Sequence, residues 1–115
     1  MEQTRSARYR SLVEAEIAEL EALRRQSAED RAPVALDQQS VGRLARMDAM
    51  QVQAMALAAE RRRAARLDRL HRVLQRIEDG EFGWCDSCGE EIPDGRLEVD
   101  PSAQLCVACA RAQER

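Results

Sequence analysis

The sequence has few of the residues that build a thick globular core. Tyr9, Phe82 and Trp84 are the only aromatic residues among 115, and 34% of the chain is charged. Lysine is absent, so all eighteen basic residues are arginine. No apolar run approaches the roughly 18 residues that a membrane-spanning helix needs. The composition therefore argues against a membrane protein and favours long amphipathic helices.

Features of secretion and catalysis are also missing. The first residues, Met1-Glu-Gln-Thr-Arg-Ser, contain no apolar core of a signal peptide, so we expect a cytoplasmic protein. We find no nucleophile–base pair and predict that the chain is not an enzyme.

Apolar residues recur every three or four positions through the first eighty residues. This pattern predicts one helix from about 4 to 26 and a longer one from about 41 to 79, which Gly80 ends. Pro33 and the polar residues before it predict a tip loop over about 27–40. Two apolar stripes joined by one loop predict a mainly α fold, a long antiparallel hairpin with coiled-coil packing.

Four cysteines form two Cys-x2-Cys pairs with seventeen residues between them. They are Cys85, Cys88, Cys106 and Cys109. Gly89 follows the first pair, where a positive φ is often needed, and Asp94-Gly95 is predicted to form a turn between the pairs. In a reducing cytosol paired thiols are typical metal ligands, and this spacing predicts one four-thiolate Zn²⁺ site. Four protein ligands close a tetrahedral shell, so the ion is expected to be structural. The alternative, a redox dithiol, usually needs one such pair in a thioredoxin-like fold.

The chain is thus predicted to contain a helical hairpin, residues 1–79, followed by a zinc finger with a short C-terminal helix, residues 80–115. Between residues 80 and 109 there are seven acidic residues and one basic residue, Arg96. Phosphate binding needs the opposite charge, so we expect no direct DNA binding by the finger.

The finger contains four distinctive segments: Glu81-Phe-Gly-Trp-Cys-Asp-Ser-Cys-Gly-Glu-Glu-Ile-Pro, Arg96-Leu-Glu, Asp100-Pro and Leu105-Cys-Val-Ala-Cys. These segments resemble the zinc finger of the DksA/TraR family of bacterial transcription regulators. The resemblance implies binding to RNA polymerase, with the hairpin inserted into the secondary channel and an acidic tip near the catalytic centre.

The tip departs from the family pattern Asp-x-x-Asp-x-Ala, because this chain has Asp37-Gln-Gln-Ser40-Val-Gly42. Asp37 matches the first acid and Ser40 replaces the second, and both are also suited to cap the second helix. Asp30 and Asp48 are alternative sources of negative charge at the tip.

Family members also bind the alarmone guanosine tetraphosphate through basic residues. The resemblance places Arg69 at the first of these positions, but Asp100 and Ala110 at the other two, so we expect weak binding or none.

The long helix carries a basic stretch in which Arg62, Arg66 and Arg69 share a side. These residues are a predicted contact for a partner, and the alternative is a solvated face that pairs with nearby carboxylates. Two other functions stay open, namely a zinc-stabilised coiled-coil adaptor for another protein and nucleic-acid binding through this helix.

Overall fold

A computed structural model describes residues 2–32 and 42–114 of the protein. Its helices are α1 (Glu2–Gln26), α2 (Ala28–Arg31), α3 (Arg43–Glu78), α4 (Asp94–Val99) and α5 (Val107–Gln113). The long helices α1 and α3 form an antiparallel hairpin, which is followed by a four-cysteine finger that ends in α5. The predicted fold class is therefore confirmed.

Helix α3 ends where the sequence predicts, at a glycine with a left-handed backbone. Gly80 has φ +75°, which is favourable for a residue without a Cβ. Its N–H donates to the carbonyl of Ile77 at 3.2 Å, and the N–H of Glu81 donates to the carbonyl of Arg76 at 2.9 Å. These two hydrogen bonds form a Schellman motif, which fixes the direction in which the chain enters the finger.

The predicted tip loop contains a short helix that the sequence pattern did not indicate. The N–H of Ser27 still donates to Leu23, and that of Arg31 donates to the carbonyl of Ser27, so helical turns continue past the end of α1. The Arg31 side chain also donates to the carbonyl of Arg24 at 2.7 Å, which satisfies an acceptor that the end of α1 leaves open.

The chain forms two compact units, one of Met1–Ile17 with Asp68–Arg115 and the other of Ala18–Leu67. The first unit has a small apolar core in which aromatic and aliphatic side chains from α1, α3 and the finger are buried. Its members are Tyr9, Val13, Leu70, Val73, Ile77, Phe82, Ile92 and Leu97. This core explains how the last turns of α3 are covered, because the start of α1 and the finger both pack there.

The second unit buries much less apolar surface. Leu44, Met47, Met50, Val52 and Met55 on α3 are each more than half exposed. The methionines are therefore not core residues, although their helical spacing suggested packing. The predicted division at residue 79/80 stays a prediction, since the finger shares its compact unit with the start of α1 and the end of α3.

In the part of the chain described here, none of the helices combines the length and the apolar character needed to cross a bilayer.

Candidate metal centre

The first pair of cysteines lies in a tight turn of the finger. The N–H of Gly89 donates to the carbonyl of Cys85 at 3.0 Å, and the N–H of Cys85 donates to Glu90 at 2.8 Å. Gly89 has φ +76°, as the sequence predicts for the residue after this pair. The turn brings the side chains of Cys85 and Cys88 toward the same point.

The second pair lies at the start of α5. Cys106 is the N-cap residue, and its carbonyl accepts a hydrogen bond from Ala110 at 2.9 Å. Two further bonds fix this segment beside the first pair, because Asp86 donates its N–H to Gln104 at 2.9 Å and Arg96 Nε donates to Leu105 at 2.7 Å. The turn predicted at Asp94-Gly95 is wrong, since these residues begin α4 after the N-cap Pro93.

The four sulfur atoms have the spacing of a tetrahedral metal site. All lie within 4.8 Å of one another, and Cys88 Sγ is 3.8 Å from Cys106 Sγ. A tetrahedron with Zn–S bonds of about 2.3 Å has edges of about 3.8 Å, whereas a disulfide needs about 2.05 Å. The donor set and its geometry therefore fit one Zn²⁺ ion.

The protonation of the thiols reflects their crowding. Backbone N–H groups, first that of Cys88 and then that of Cys106, lower the pKa of Cys85 to about 6. Hydrogen bonding with the other sulfurs, Cys106 first, raises the pKa of Cys109 to about 12. Four thiolates this close repel one another, and a divalent cation is what allows all four to be deprotonated.

The finger is joined to the start of α1 by Arg5. Arg5 Nη1 is 2.7 Å from Glu91 Oε1, Nε is 2.8 Å from Asp94 Oδ1, and Nη2 donates to the carbonyl of Ile92. The Arg5 side chain is only 15% exposed. We call these contacts the Arg5 clasp. They lower the pKa of Asp94, mainly through the hydrogen bond from Arg5.

Gly83 is needed for the clasp. Its φ is +92°, and a Cβ there would lie 2.8 Å from Arg5 Nη1. The glycine therefore leaves room for the guanidinium to approach the finger backbone, where the Ile92 N–H donates to the carbonyl of Gly83 at 2.7 Å.

Aromatic packing supports the same contact. The rings of Tyr9 and Phe82 have centroids 5.4 Å apart at an interplanar angle of 50°. Burial raises the pKa of Tyr9, whose hydroxyl lies 3.3 Å from the carbonyl and from the carboxylate of Asp94. Two of the three aromatic residues in the chain thus connect α1 to the finger.

Arg76 performs a similar role at the end of α3. Its Nη1 is 3.0 Å from Asp86 Oδ1, and its Nη2 donates to the carbonyls of Trp84 at 3.1 Å and Glu81 at 3.3 Å. The finger therefore meets arginines from both long helices.

These ion pairs change the interpretation of the acidic finger. Asp86, Glu91 and Asp94 all pair with helix arginines, so part of the negative charge counted from the sequence is neutralised inside the first unit. Sequence reasoning missed Arg5 because it lies 86 to 89 positions from its partners and no local motif marks it.

The predicted tip residues are only partly described. Asp37 and Ser40 lie outside the described residues. Asp30 is exposed on α2 and Asp48 is exposed on α3. Their role in binding a partner stays a prediction.

The predicted basic contact lies along α3. Arg62 and Arg69 are exposed, whereas Arg66 is partly buried and has an interaction partner. Neighbouring arginines are engaged within the protein, since Arg72 pairs with Asp68 and Arg63 lies 3.5 Å from Glu60. These ion pairs involve neighbours of the predicted contact residues, and the role of Arg62, Arg66 and Arg69 stays a prediction.

Comparisons with known proteins agree with this site. Residues 80–115 match the family described as the prokaryotic DksA/TraR C4-type zinc finger. The RNA polymerase-binding transcription factor DksA of Escherichia coli K12 is 42% identical over 48 residues, which are 42% of this chain and 32% of that protein. The factor of the same name from Haemophilus influenzae is 40% identical over 48 residues, 42% of this chain and 33% of that protein.

A solved structure extends the likeness to the fold. Transcription factor DksA2 from Pseudomonas aeruginosa superposes with a TM-score of 0.80 over 96% of this chain and 84% of that one, at 23% identity. The sequence match, by contrast, spans about a third of the length of the curated relatives.

The fold and the four thiols define a C4 zinc-finger protein built on a helical hairpin. The finger, residues 80–115, is of the DksA/TraR C4 type, and the predicted resemblance is confirmed. Its cofactor is one structural zinc ion.

Proposed function

We propose that this protein is a non-enzymatic regulator of transcription that binds bacterial RNA polymerase in the cytoplasm. The observation that carries the proposal is the 42% identity over 48 residues with a protein named for binding RNA polymerase. The likeness to DksA2 over 96% of this chain supports the same fold for the part outside that match.

The proposed binding mode inserts the hairpin into the secondary channel of the polymerase. The support is the presence of the two long helices α1 and α3, which the resemblance associates with this binding mode. Asp37 and Ser40 are the proposed tip contacts by resemblance, and Asp30 and Asp48 are exposed carboxylates on the flanking helices.

The basic residues Arg62, Arg66 and Arg69 are proposed as secondary contacts with the polymerase. We expect guanosine tetraphosphate to contribute little, because Asp100 and Ala110 stand where the family pattern has basic residues. Asp100 also accepts hydrogen bonds from Ser102, so its carboxylate is already engaged within the finger.

The test is direct binding of the zinc-loaded protein to purified core RNA polymerase from a bacterium. We expect a saturable complex at low and moderate salt. No binding even at low salt would refute the proposal and favour an adaptor for another protein. Binding to free DNA with a steep salt dependence would instead favour contact through the arginines of α3.

Run-off transcription with Asp37→Asn tests the tip. A tip carboxylate that acts near the catalytic centre predicts lost regulation with unchanged polymerase binding. A residue that only caps α3 predicts that both properties stay close to wild type, apart from a small loss of stability. Glu78→Gln is the matched control, because it removes an exposed carboxylate from the far end of α3.

A further inference from the structure

The second compact unit contains a group of charges that the proposed function does not use. Arg24 lies near the end of α1, Ser27 at the junction with α2 and Arg31 at the end of α2, while Glu60 and Arg63 lie on α3. We call these five residues the arginine cluster. The three guanidinium groups face Glu60, and Glu21 Oε2 also lies 3.9 Å from Arg24 Nη1, so one positive charge is in excess.

The carboxylate at the centre of the arginine cluster is poorly satisfied. Glu60 is only 13% exposed, with Arg24 Nε at 2.5 Å, Arg63 Nε at 3.5 Å and Arg31 Nε at 3.8 Å from its oxygens. Despite these short distances, both Glu60 oxygens and Arg63 Nε are buried without an aligned hydrogen-bond partner among residues 2–32 and 42–114. Buried charged groups normally have such partners, so one carboxylate does not complete this cluster.

Two further donors of the cluster point at the Ser27 hydroxyl, while Arg31 Nη2 donates to the carbonyl of Arg24 at 2.7 Å. Arg63 Nη2 donates to Ser27 Oγ at 3.0 Å and Arg31 Nε donates to the same oxygen at 3.3 Å. The hydroxyl in turn donates to the carbonyl of Arg24 at 3.3 Å. Two guanidinium groups therefore converge on one neutral oxygen at the edge of the cluster, and Ser27 itself is only partly buried.

We propose that the arginine cluster is a binding site for a phosphate group, held beside Ser27 by Arg24, Arg31 and Arg63. A phosphate carries about −1.5 to −2 charges at pH 7 and three strong acceptor oxygens. It would balance the excess positive charge and supply acceptor oxygens for the guanidinium N–H groups that have no aligned bond to Glu60.

The phosphate group has two chemical sources, and they place it at the same point. One is a free phosphate or phosphate monoester bound beside the Ser27 hydroxyl. The other is a phosphoryl group on Ser27, transferred by a protein kinase from a nucleoside triphosphate. In that transfer a bond forms between Ser27 Oγ and the terminal phosphorus, the bond from phosphorus to the nucleoside diphosphate breaks, and the hydroxyl proton passes to the base of the kinase.

The first experiment measures the melting temperature of the zinc-loaded chain with increasing inorganic phosphate, at constant ionic strength set by chloride. We expect a saturable rise of roughly 5 °C at ten times the dissociation constant. Arg63→Gln should lose this rise. Arg61→Gln, which removes the same charge from an exposed position of the same helix, should keep it.

Glu60→Gln gives a second, independent measurement. The carboxylate competes with phosphate for the same arginines, so its removal should lower the dissociation constant at least about tenfold. This variant also keeps the proposal testable if Arg63→Gln does not fold. A rise in melting temperature that Arg63→Gln retains in full, or that Glu60→Gln leaves unchanged, would refute the proposal for the free anion.

The second experiment incorporates phosphoserine at position 27 during translation, with phosphoserine at the exposed Ser11 as control. If the phosphoryl group occupies the cluster, the first protein melts higher than the unmodified chain and no longer responds to added phosphate, and the control does neither. A response to free phosphate without stabilisation by phosphoserine identifies the free anion as the source, and the reverse identifies the modification. No effect in either experiment means that the cluster is an internal ion-pair network, and the proposal is then wrong.

Discussion

The Arg5 clasp provides the sharpest test of how the finger is held. Replacing Arg5 by alanine removes the donor to the buried Ile92 carbonyl together with both carboxylate pairs. A hydrogen bond from a charged donor contributes about 1.5–3 kcal/mol. The carboxylates of Glu91 and Asp94 are 58% and 55% exposed, so solvent screens their pairs and we assign them little. The expected loss of unfolding free energy is therefore about 1.5–3 kcal/mol.

Thermal unfolding of the zinc-loaded protein, followed by circular dichroism, measures this loss. For a unit of this size about 2 kcal/mol corresponds to a fall of roughly 10 °C in melting temperature. Arg5→Lys should fall in between, because an ammonium keeps the charge but cannot direct three donors as the planar guanidinium does.

The control is Arg10→Ala, which removes an exposed arginine from the same helix. It should change the melting temperature by only a degree or two. If Arg5→Ala costs no more than Arg10→Ala, the clasp does not stabilise the protein and the contacts of Arg5 are incidental. A large loss shared by both variants would point instead to the loss of positive charge from α1.

Three further predictions test the same unit. Gly83→Ala should destabilise it by about 1–2 kcal/mol or more, because φ is +92° and the added Cβ would approach Arg5. Gly89→Ala is the control, since it adds backbone strain but its Cβ would have no neighbour within 4 Å. Denaturant unfolding compares the free energies of unfolding of the two variants. Chelation of zinc should unfold the finger and shift the fluorescence of Trp84, and one equivalent of zinc should restore it. The pKa of Asp94 is lowered, so its stabilising contribution is present at neutral pH and lost as the pH falls through that value; NMR titration should find the pKa raised again in Arg5→Ala.

Local features of the sequence were sufficient to predict most of the architecture. The helical period predicted two long helices, and the observed bounds of α1 and α3 lie within two residues of the expected ones. Gly80 and Gly89 were predicted from the local backbone that a helix end and a knuckle require, and both have positive φ. The zinc site was predictable because each pair of cysteines is a local motif.

The parts that could not be predicted depend on which residues meet across the fold. Arg5 is one of eighteen arginines, and only the packing of α1 against the finger distinguishes it from the others. Helix α2 was missed because a polar stretch before Pro33 is equally typical of a loop. The Arg31 side chain stabilises the helical turn by donating to the carbonyl of Arg24 at the end of α1, and the sequence alone does not show this contact.

Counting acids along the sequence also gave an incomplete account of the finger. The count treats every carboxylate as an unpaired surface charge. Asp86, Glu91 and Asp94, however, form ion pairs with arginines of α1 and α3. The acidity is therefore partly a docking surface for the protein's own helices. We expect zinc binding to order the segment that carries these carboxylates, so that the metal and the arginines stabilise one structure. A finger closed by zinc would then present the carbonyl and carboxylate oxygens that Arg5 and Arg76 bind.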